Sequence, residues 1–313
     1  MSEPVVLVTG GTGFVGSAVV QRLRRRRCRV RVLTRQRSNL PAGVERAAGD
    51  LADPLAVRAA VDGAEVVIHL AAHIGPSEQR CAQVNDRGTG HLVDAVRRAG
   101  AHRLVQLSTT SVYGSGCHRG VGEDVVPARP ESATSRTRRA AELRVLDAGG
   151  TVLRPHLVYG AGDRWFVPAA LALVGRVGGW IAGRSPMASV VAVDELARLI
   201  CAIGLGKGPP PGVYHAHHPE PIALRDFVGR VACRIGHVLP NREFPATEHR
   251  QLARELVPWL TDHQYDLFAS DHWYDSTRVW RATQLTPSLH PTGGLGRAIQ
   301  WYRSYLPQTS SDA

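Results

Sequence analysis

The sequence has very little lysine and no long apolar segment. Of its 38 basic residues 37 are arginines, and Lys207 is the single lysine. No apolar run approaches the roughly 18 to 20 residues that a membrane-spanning helix requires, so we expect no such helix and no membrane partner. The first residues carry no basic segment ahead of an apolar one and no small-residue cleavage site, which favours a cytoplasmic protein.

Paired cysteines and metal-ligand patterns are also missing. The five cysteines lie far apart without a CxxC pair, which favours reduced, separately packed thiols over a disulfide framework or a zinc site. They are Cys28, Cys81, Cys117, Cys201 and Cys233. His215 and His217 alternate along a predicted strand, next to His218, without a supporting carboxylate or cysteine. We therefore predict no metal site.

The net charge is +11, which would ordinarily favour nucleic acid as a partner. The arginines, however, are scattered along the whole chain, as a composition bias of the genome would produce. Even the run Arg24 to Arg27 falls where the first helix should end, and most such runs are solvated faces. The sequence therefore predicts no nucleic-acid partner.

Length and patterning indicate a globular α/β protein. The 313 residues, 43% hydrophobic and 21% charged, suffice for one large or two modest domains. Short β-branched runs alternate with amphipathic stretches, a pattern typical of βαβ units in a doubly wound parallel sheet. The predicted strands are Val5 to Thr9, Arg29 to Leu33, Val44 to Ala48, Val66 to Leu70, Arg103 to Ser108 and Thr151 to Leu153. The predicted helices are Phe14 to Arg26, Pro54 to Val61, Gln83 to Arg98 and Thr134 to Leu146.

The second half is less regular and is predicted to shape the substrate site. All six tryptophans lie after residue 155, and the segment Gly204 to Gly212 is rich in glycine and proline. A predicted helix at Val193 to Ile203 and a strand at Val213 to His217 return the chain to the sheet. We expect a dinucleotide-binding domain over residues 1–155, with return segments near 189–217, and a smaller substrate-binding region over 156–188 and 218–313.

A glycine-rich segment follows the first predicted strand and opens the first predicted helix. It reads Thr9-Gly10-Gly11-Thr12-Gly13-Phe14-Val15-Gly16. Gly10 permits the tight turn, Gly13 lets the backbone approach a pyrophosphate, and Gly16 allows the helix to pack closely. Negative phosphate would then lie at the helix N-terminus. The segment therefore predicts a dinucleotide site.

The end of the second predicted strand indicates which dinucleotide is bound. An NAD site usually has an acidic residue there, which accepts hydrogen bonds from the ribose hydroxyls. This sequence has Thr34-Arg35 instead. Arg35, aided by Arg37 and Ser38, would hold a 2′-phosphate through charge-assisted hydrogen bonds. The sequence thus favours NADPH/NADP over NADH, the alternative being that Arg35 is one more surface arginine.

These motifs resemble the extended short-chain dehydrogenase/reductases, the family of NAD(P)-dependent epimerases, dehydratases and reductases. The segments TGGTGFVG at 9–16, LSTTSVYG at 107–114 and VVAVDELA at 190–197 carry the similarity along nearly the whole chain. The resemblance implies a Rossmann fold and extends the cofactor site beyond the glycine-rich segment. The further residues that it assigns there are Asp50, Leu51, Leu70, Ala71, Ala72, Arg138, Pro155 and Val158.

The catalytic pair of that family is missing. In the family, a tyrosine exchanges a proton, and a lysine four residues later lowers its pKa and holds the ribose. Alignment through residues 130–132 and Glu142 places Thr134 at the tyrosine position and Arg138 at the lysine position. Ile203 stands four residues before the only lysine, so no YxxxK occurs in the sequence. An aliphatic alcohol cannot readily release a proton at neutral pH, although Arg138 could still bind the ribose.

A reduction would then need another proton donor. Thr109, at the family's serine or threonine position, is a candidate catalytic residue together with Ser108 and His73. A bound water is another source, and the substrate itself is a third, if an acidic hydroxyl lies beside its carbonyl. The residues predicted to border the substrate are Tyr113, His156, Trp165 and Phe166.

This sequence lacks the tyrosine but otherwise keeps the family pattern well. In this respect it resembles the angucyclinone-type polyketide ketoreductases of the kind found in simocyclinone biosynthesis. The resemblance implies an NADPH-dependent ketoreductase of a small aromatic polyketide, with the proton derived from the substrate. We expect a monomer or a homodimer. One alternative is a sensor that binds NADPH without turnover, and another is a nucleotide-sugar epimerase or dehydratase.

Overall fold

The computed structural model describes residues 3–35, 40–206 and 208–306. Its strands are β1 (Val5–Thr9), β2 (Arg29–Thr34), β3 (Val44–Ala48), β4 (Val66–His69), β5 (Arg103–Leu107), β6 (His118–Val121), β7 (Thr151–Arg154), β8 (Leu157–Tyr159), β9 (Gly179–Ile181), β10 (Met187–Ala188), β11 (Val190–Ala192), β12 (Gly212–His215), β13 (Ile222–Ala223), β14 (Arg242–Phe244) and β15 (His272–Tyr274). Its α-helices are α1 (Phe14–Leu23), α2 (Pro54–Val61), α3 (Glu78–Cys81), α4 (Gly88–Ala99), α5 (Ala133–Asp147), α6 (Phe166–Val177), α7 (Val193–Leu205), α8 (Leu224–Ile235), α9 (Ala246–Leu256), α10 (Asp262–Ala269), α11 (Thr277–Thr283) and α12 (Leu295–Tyr305).

The centre of the fold is a seven-stranded parallel sheet in the order β12-β7-β5-β4-β1-β2-β3. β1 and β4 are buried along their whole length, as expected of strands that helices cover on both faces. The order of the strands reverses between β1 and β4, and such a reversal opens a crevice at the carboxyl ends of the two strands. The prediction of a doubly wound parallel sheet is confirmed.

Helices cover both faces of this sheet. α1 and α7 pack on one face, where Val8 of β1 lies in one apolar cluster with Val19 and Leu196. The other face carries α2 and α4, where Leu7 of β1 lies with Leu92. Neighbouring residues of β1 thus point to opposite faces, which is the period-two alternation of a strand.

The second half of the chain adds smaller elements beside the sheet. β12 pairs in parallel with β7, so the predicted return of the chain to the sheet is confirmed. A four-stranded sheet has the order β13-β10-β15-β6, and β11-β8 and β14-β9 form two-stranded sheets. Within the described ranges, no helix is both long enough and apolar enough to cross a membrane.

The predicted end of the first helix is wrong. α1 ends at Leu23 rather than at Arg26. The backbone nitrogens of Arg25 and Arg26 bond three residues back, to the carbonyls of Arg22 and Leu23, at 3.2 and 2.8 Å. This tightening of the last turn ends the α-helix and starts the turn that leads to β2.

The predicted helix over residues 83–98 is also incorrect in its first part. The helical segment begins earlier, with α3, and passes through a π-helical turn at Ala82–Arg87 before α4. The wider turn includes Asn85, which is buried and whose Oδ1 accepts a hydrogen bond from the His73 nitrogen at 2.7 Å. A π-turn leaves little trace in a pattern of period 3.6, so the sequence did not reveal it.

Candidate active site

A cleft of about 310 Å³ lies at the carboxyl ends of β1 and β4, where the strand order reverses. We call it the switch-point cleft. Most of the predicted cofactor residues meet there, together with the predicted catalytic residue His73. These are Gly10, Thr12, Gly13, Arg35, Asp50, Leu51, Leu70, Ala71 and Ala72.

The glycine-rich segment approaches the sheet so closely that side chains cannot fit. Gly10 has a φ of +69°, and a Cβ on it would lie 2.6 Å from the backbone nitrogen of Ala71. A Cβ on Gly16 would lie 1.9 Å from the carbonyl oxygen of Gly10. Gly13 begins α1 without a side-chain cap, which leaves the first-turn amides to an anion. The segment therefore fits a dinucleotide pyrophosphate.

Two residues of this segment have packing roles instead of lining the cleft. Phe14 lies against Gly162, where a Cβ would come within 3.0 Å of the ring. Val15 packs on the core cluster that α1 shares with α7. Both hold the start of α1 in place, so they act on the site through the position of the helix.

Two arginines line the switch-point cleft. Arg35 follows β2, and its guanidinium lies 3.6 Å from a carboxylate oxygen of Asp50, in a largely exposed ion pair. Arg80 of α3 also lines the cleft, and sequence reasoning missed it because nothing in its short helix sets it apart. The predicted partners Arg37 and Ser38 lie outside the described residues. The cleft thus offers positive charge for a further phosphate.

The remaining lining residues that sequence reasoning missed are neighbours of predicted ones. They are Thr9, Leu33, Thr34, Gly49 and Val84. All but Val84 lie within two residues of the carboxyl end of a strand, so the carboxyl-edge rule for parallel sheets would have found them.

A buried histidine, His69, lies at the end of β4 beside the cleft. His69 Nε2 lies 2.9 Å from Thr89 Oγ1, which itself donates to the Asn85 carbonyl, so Nε2 carries the proton. Its Nδ1 then accepts from Thr9 Oγ1 at 2.7 Å, and Thr9 in turn accepts from the nitrogen of Ala71. Burial lowers the pKa of His69 to about 3, so the ring stays neutral. The chain of bonds joins the ends of β1 and β4.

Ser108 and Thr109, the other predicted catalytic residues, follow β5. Ser108 is buried, and its nitrogen bonds to the Leu153 carbonyl at 2.6 Å. Thr109 is half-buried and caps a short 3-10 turn at Thr110–Tyr113 by accepting from the Ser111 nitrogen at 3.1 Å. Neither residue lines the switch-point cleft as far as the described chain shows. Their hydrogen bonds stabilise the backbone that follows β5. A catalytic role for either residue stays a prediction.

The residues at the family's tyrosine and lysine positions, Thr134 and Arg138, both form hydrogen bonds to the backbone. Thr134 Oγ1 lies 3.3 Å from both the nitrogen and the carbonyl oxygen of Gly75. The Arg138 guanidinium is buried and donates to the Leu107 carbonyl at 2.6 Å. Burial lowers the pKa of Arg138 to about 10, which still leaves it charged at neutral pH. Arg138 is absent from the described lining of the cleft, and its role at the ribose stays a prediction.

Tyr113 lies in a buried group of imidazole and phenol rings, and its contact with substrate stays a prediction. Its side chain is only 2% exposed. Its hydroxyl lies 2.6 Å from His215 Nε2 and accepts from Arg154 at 2.9 Å. Arg154 also forms two hydrogen bonds to Glu142, at 2.8 and 2.6 Å. Burial would raise the pKa of Glu142, but these bonds hold it below its usual range.

His156 belongs to the same buried group. Its Nδ1 lies 2.8 Å from Thr110 Oγ1, and its ring stacks on His272 with centroids 5.6 Å apart. Burial lowers its pKa well below the usual value, and the neighbouring imidazoles lower it further. Its Nε2 is buried without a hydrogen-bond partner among the described residues. The His156 ring is partly exposed, and its contact with substrate stays a prediction.

The four remaining predicted site residues are mostly in packed positions. Phe166 is 1% exposed and stacks on Phe227, and its contact with substrate stays a prediction. Trp165 is half-buried at the start of α6. The Pro155 carbonyl accepts from the Thr110 nitrogen at 3.0 Å, and Val158 packs on the core. The aromatic pattern alone could not separate core packing from a ligand contact.

Comparison with known proteins places this geometry in context. A model described as the NAD dependent epimerase/dehydratase family matches residues 6–203. The 2-alkyl-3-oxoalkanoate reductase of Stenotrophomonas maltophilia is 34% identical, over 93% of this chain and 97% of its own. The 3 beta-hydroxysteroid dehydrogenase/Delta 5→4-isomerase of Mycobacterium tuberculosis is 33% identical, over 98% of this chain and 93% of its own. A crystal structure of a short-chain dehydrogenase/reductase superfamily protein from Agrobacterium tumefaciens with bound NAD superposes with a TM-score of 0.78 at 21% identity, covering 96% of this chain and 98% of that chain, and so shares its fold.

Proposed function

Since the chain belongs to the NAD-dependent epimerase/dehydratase family, we propose that it is an NADPH-dependent ketoreductase that works without the tyrosine and lysine of that family. At the coarser level, the prediction of a nicotinamide-dependent oxidoreductase is confirmed. The finer proposal concerns three points: whether the cofactor carries a 2′-phosphate, what the substrate is, and which group donates the proton to the reduced carbonyl.

The preference for NADPH rests on the charges around the adenine end. β2 ends in Thr34 and Arg35 follows it, with no carboxylate at the strand end to accept from a free ribose 2′-hydroxyl. Arg35 and Arg80 both line the cleft. The partner of Arg35, Asp50, lies 3.6 Å away in an exposed pair, and such pairs contribute little. A 2′-phosphate would therefore bind Arg35 in place of Asp50.

The proposal that the proton comes from the substrate rests on the hydrogen bonds of Thr134. The position that would hold a phenol holds an aliphatic hydroxyl, and both its bonds run to Gly75. NADPH supplies the hydride, which leaves negative charge on the carbonyl oxygen of the substrate. We propose that an acidic hydroxyl next to that carbonyl gives its proton to this oxygen, and solvent then restores the hydroxyl. A hydroxylated aromatic polyketide of the angucyclinone type has that arrangement.

The relatives support a carbonyl substrate. Two of them are named as an oxoalkanoate reductase and a hydroxysteroid dehydrogenase. Both names describe the interconversion of a carbonyl and an alcohol. A nucleotide-sugar epimerase or dehydratase would depend on the missing tyrosine as its base, so that alternative has less support.

The test compares a hydroxylated quinone with its O-methylated counterpart, by following NADPH absorbance. General acid catalysis contributes about 10²- to 10⁴-fold, so we expect methylation to lower kcat by about 100-fold or more. Thr109→Val and His73→Gln should each retain most of the activity on the hydroxylated compound. Equal rates on both compounds would place the proton donor in the protein. Tight NADPH binding without turnover on any carbonyl would favour the sensor.

A further inference from the structure

A second cleft, of about 650 Å³, lies beside α1 and shares no lining residue with the switch-point cleft. Its walls come from α1, α7 and the segment at residues 287–297. The volume falls in the range of small-molecule sites. Four arginines line it, and we call it the arginine cleft. They are Arg22, Arg25, Arg198 and Arg297.

Two of these arginines have no direct side-chain partner among the described residues. Among the described residues, neither Arg22 nor Arg25 has a side-chain hydrogen bond or an ion pair. The Nε atoms of Arg22 and Arg198 are buried without a hydrogen-bond partner. These two nitrogens are closed off from the cleft, so the terminal nitrogens of Arg22 and Arg25, unpaired within the described chain, are the donors that a ligand there would meet.

The acidic residues of the cleft are already engaged. Asp194 lies 2.7 Å from the Arg297 guanidinium. Glu195 accepts from the Ser288 nitrogen, also at 2.7 Å. Four arginines and these two acids leave a formal charge of 4 − 2 = +2 on the lining. Burial lowers the pKa of Arg22, and the charges of Arg26 and Arg198 lower it further, while Cys201 and Asp194 oppose this.

The surroundings of Arg198 fix its direction. Its guanidinium lies 5.9 Å from the Trp280 ring centroid and donates through one terminal nitrogen to the Thr286 carbonyl. Arg22 lies in the last turn of α1, Arg25 follows the end of that helix, and both line the cleft. Several guanidinium groups in one cleft suit an oxyanion with several acceptor oxygens.

We propose that the arginine cleft binds the phosphate monoester group of a small hydrophilic molecule, at a site separate from the cofactor. A phosphate monoester carries about 1.5 to 2 negative charges at neutral pH, which matches the charge of the lining. Arg22 and Arg25 donate to the phosphate oxygens, and the paired Arg297 and Asp194 border the rest of the ligand. The site does not rest on the proposed ketoreductase activity.

The test uses isothermal titration of the NADPH-saturated protein with ribose 5-phosphate, and with ribose as the uncharged control. We expect saturable one-site binding of ribose 5-phosphate that weakens as salt is added, and none of ribose. Arg22→Gln and Arg25→Gln should each weaken binding tenfold or more. Arg230→Gln on α8, an exposed arginine far along the chain, should leave binding unchanged.

Each other outcome overturns the site. These are no saturable binding at millimolar ligand, equal affinity in the Arg22, Arg25 and Arg230 variants, or binding that NADPH abolishes, which would place the phosphate in the switch-point cleft. Matched thermal unfolding curves for the three variants show that loss of binding is not loss of fold. Arg25→Lys, which keeps the charge, should recover part of the affinity.

Discussion

The hydroxyl of Thr134 lies 3.3 Å from both backbone polar atoms of Gly75. The thiol of Cys81 lies 3.7 Å from the same hydroxyl. The position that serves proton transfer in the family therefore ties α5 to the loop after β4. This arrangement gives the residue a structural role and leaves proton transfer to another group.

Replacement of Thr134 by valine should leave catalysis intact. We expect Thr134→Val to change kcat for the substrate by less than about threefold, since an aliphatic hydroxyl is a poor acid. The lost hydrogen bonds should lower the free energy of unfolding by about 1 kcal/mol. Thr137→Val, one turn further along α5, is the matched control. A fall in kcat of about 100-fold in the Thr134 variant alone would show that the hydroxyl is the acid after all.

Arg35 should decide the choice between the two nicotinamide cofactors. We expect Arg35→Gln to raise the KM for NADPH about tenfold or more, because a hydrogen bond to a charged group contributes about 1.5 to 3 kcal/mol. The KM for NADH should change little. Arg35→Lys should recover part of the preference, because it keeps the charge. An unchanged ratio of the two KM values would mean that Arg35 is an ordinary surface arginine.

Two glycine substitutions should have opposite effects. Gly16→Ala puts a Cβ 1.9 Å from the Gly10 carbonyl oxygen, so α1 must shift, and we expect loss of both stability and NADPH binding. Gly175→Ala lies in α6 with nothing within 4 Å of the new Cβ. It should raise the free energy of unfolding by about 0.5 to 1 kcal/mol. Thermal unfolding and cofactor titration measure both effects, and similar behaviour of the two variants would contradict the close approach at Gly16.

Stability should fall steeply in mild acid. Burial is the main cause that lowers the pKa values of His69 and His215 to about 3 and that of His217 to about 4. An unfolded histidine has a pKa of about 6.5, so below that pH the unfolded chain takes up protons that the folded chain excludes. The stabilisation is complete above the unfolded pKa and decreases as the pH falls toward the folded values, by at most about 1.4 kcal/mol per pH unit for each group.

Thermal unfolding between pH 7 and pH 4 measures this dependence. His217→Asn removes one of the buried groups and should flatten the curve. His102→Asn changes an exposed histidine and should leave the curve as it is. A melting temperature that stays constant across this range would show that the buried imidazoles do not control acid stability.

Much of the nucleotide-binding half could be predicted because its signals are local. The glycine-rich segment, the β-branched strands and the end of β2 are each contiguous in the sequence. Their roles follow from backbone sterics and from the edge rule for parallel strands. Boundaries were less accurate where the backbone departs from regular periodicity, as in the π-helical turn at Ala82–Arg87.

The substrate side was predicted less well because its features depend on burial. The sequence does not distinguish Tyr113 and Phe166 from aromatic residues that contact a ligand. In the structure Tyr113 bonds to His215, and Phe166 stacks on Phe227. His156 likewise joins rings that lie far from it in the chain. Such a group forms only when several elements pack together, and no local pattern records that.

The sequence by itself determined the parallel sheet, the phosphate-binding turn and the absence of a tyrosine and lysine pair, because these depend on residue type and short spacing. Tertiary structure decided that Thr134 bonds to Gly75, that Arg138 bonds to the end of β5, and that Arg22, Arg25 and Arg198 share one cleft. These relationships join residues that are distant along the chain. They depend on how the helices pack against the sheet, since packing alone fixes the distance between side chains of different elements.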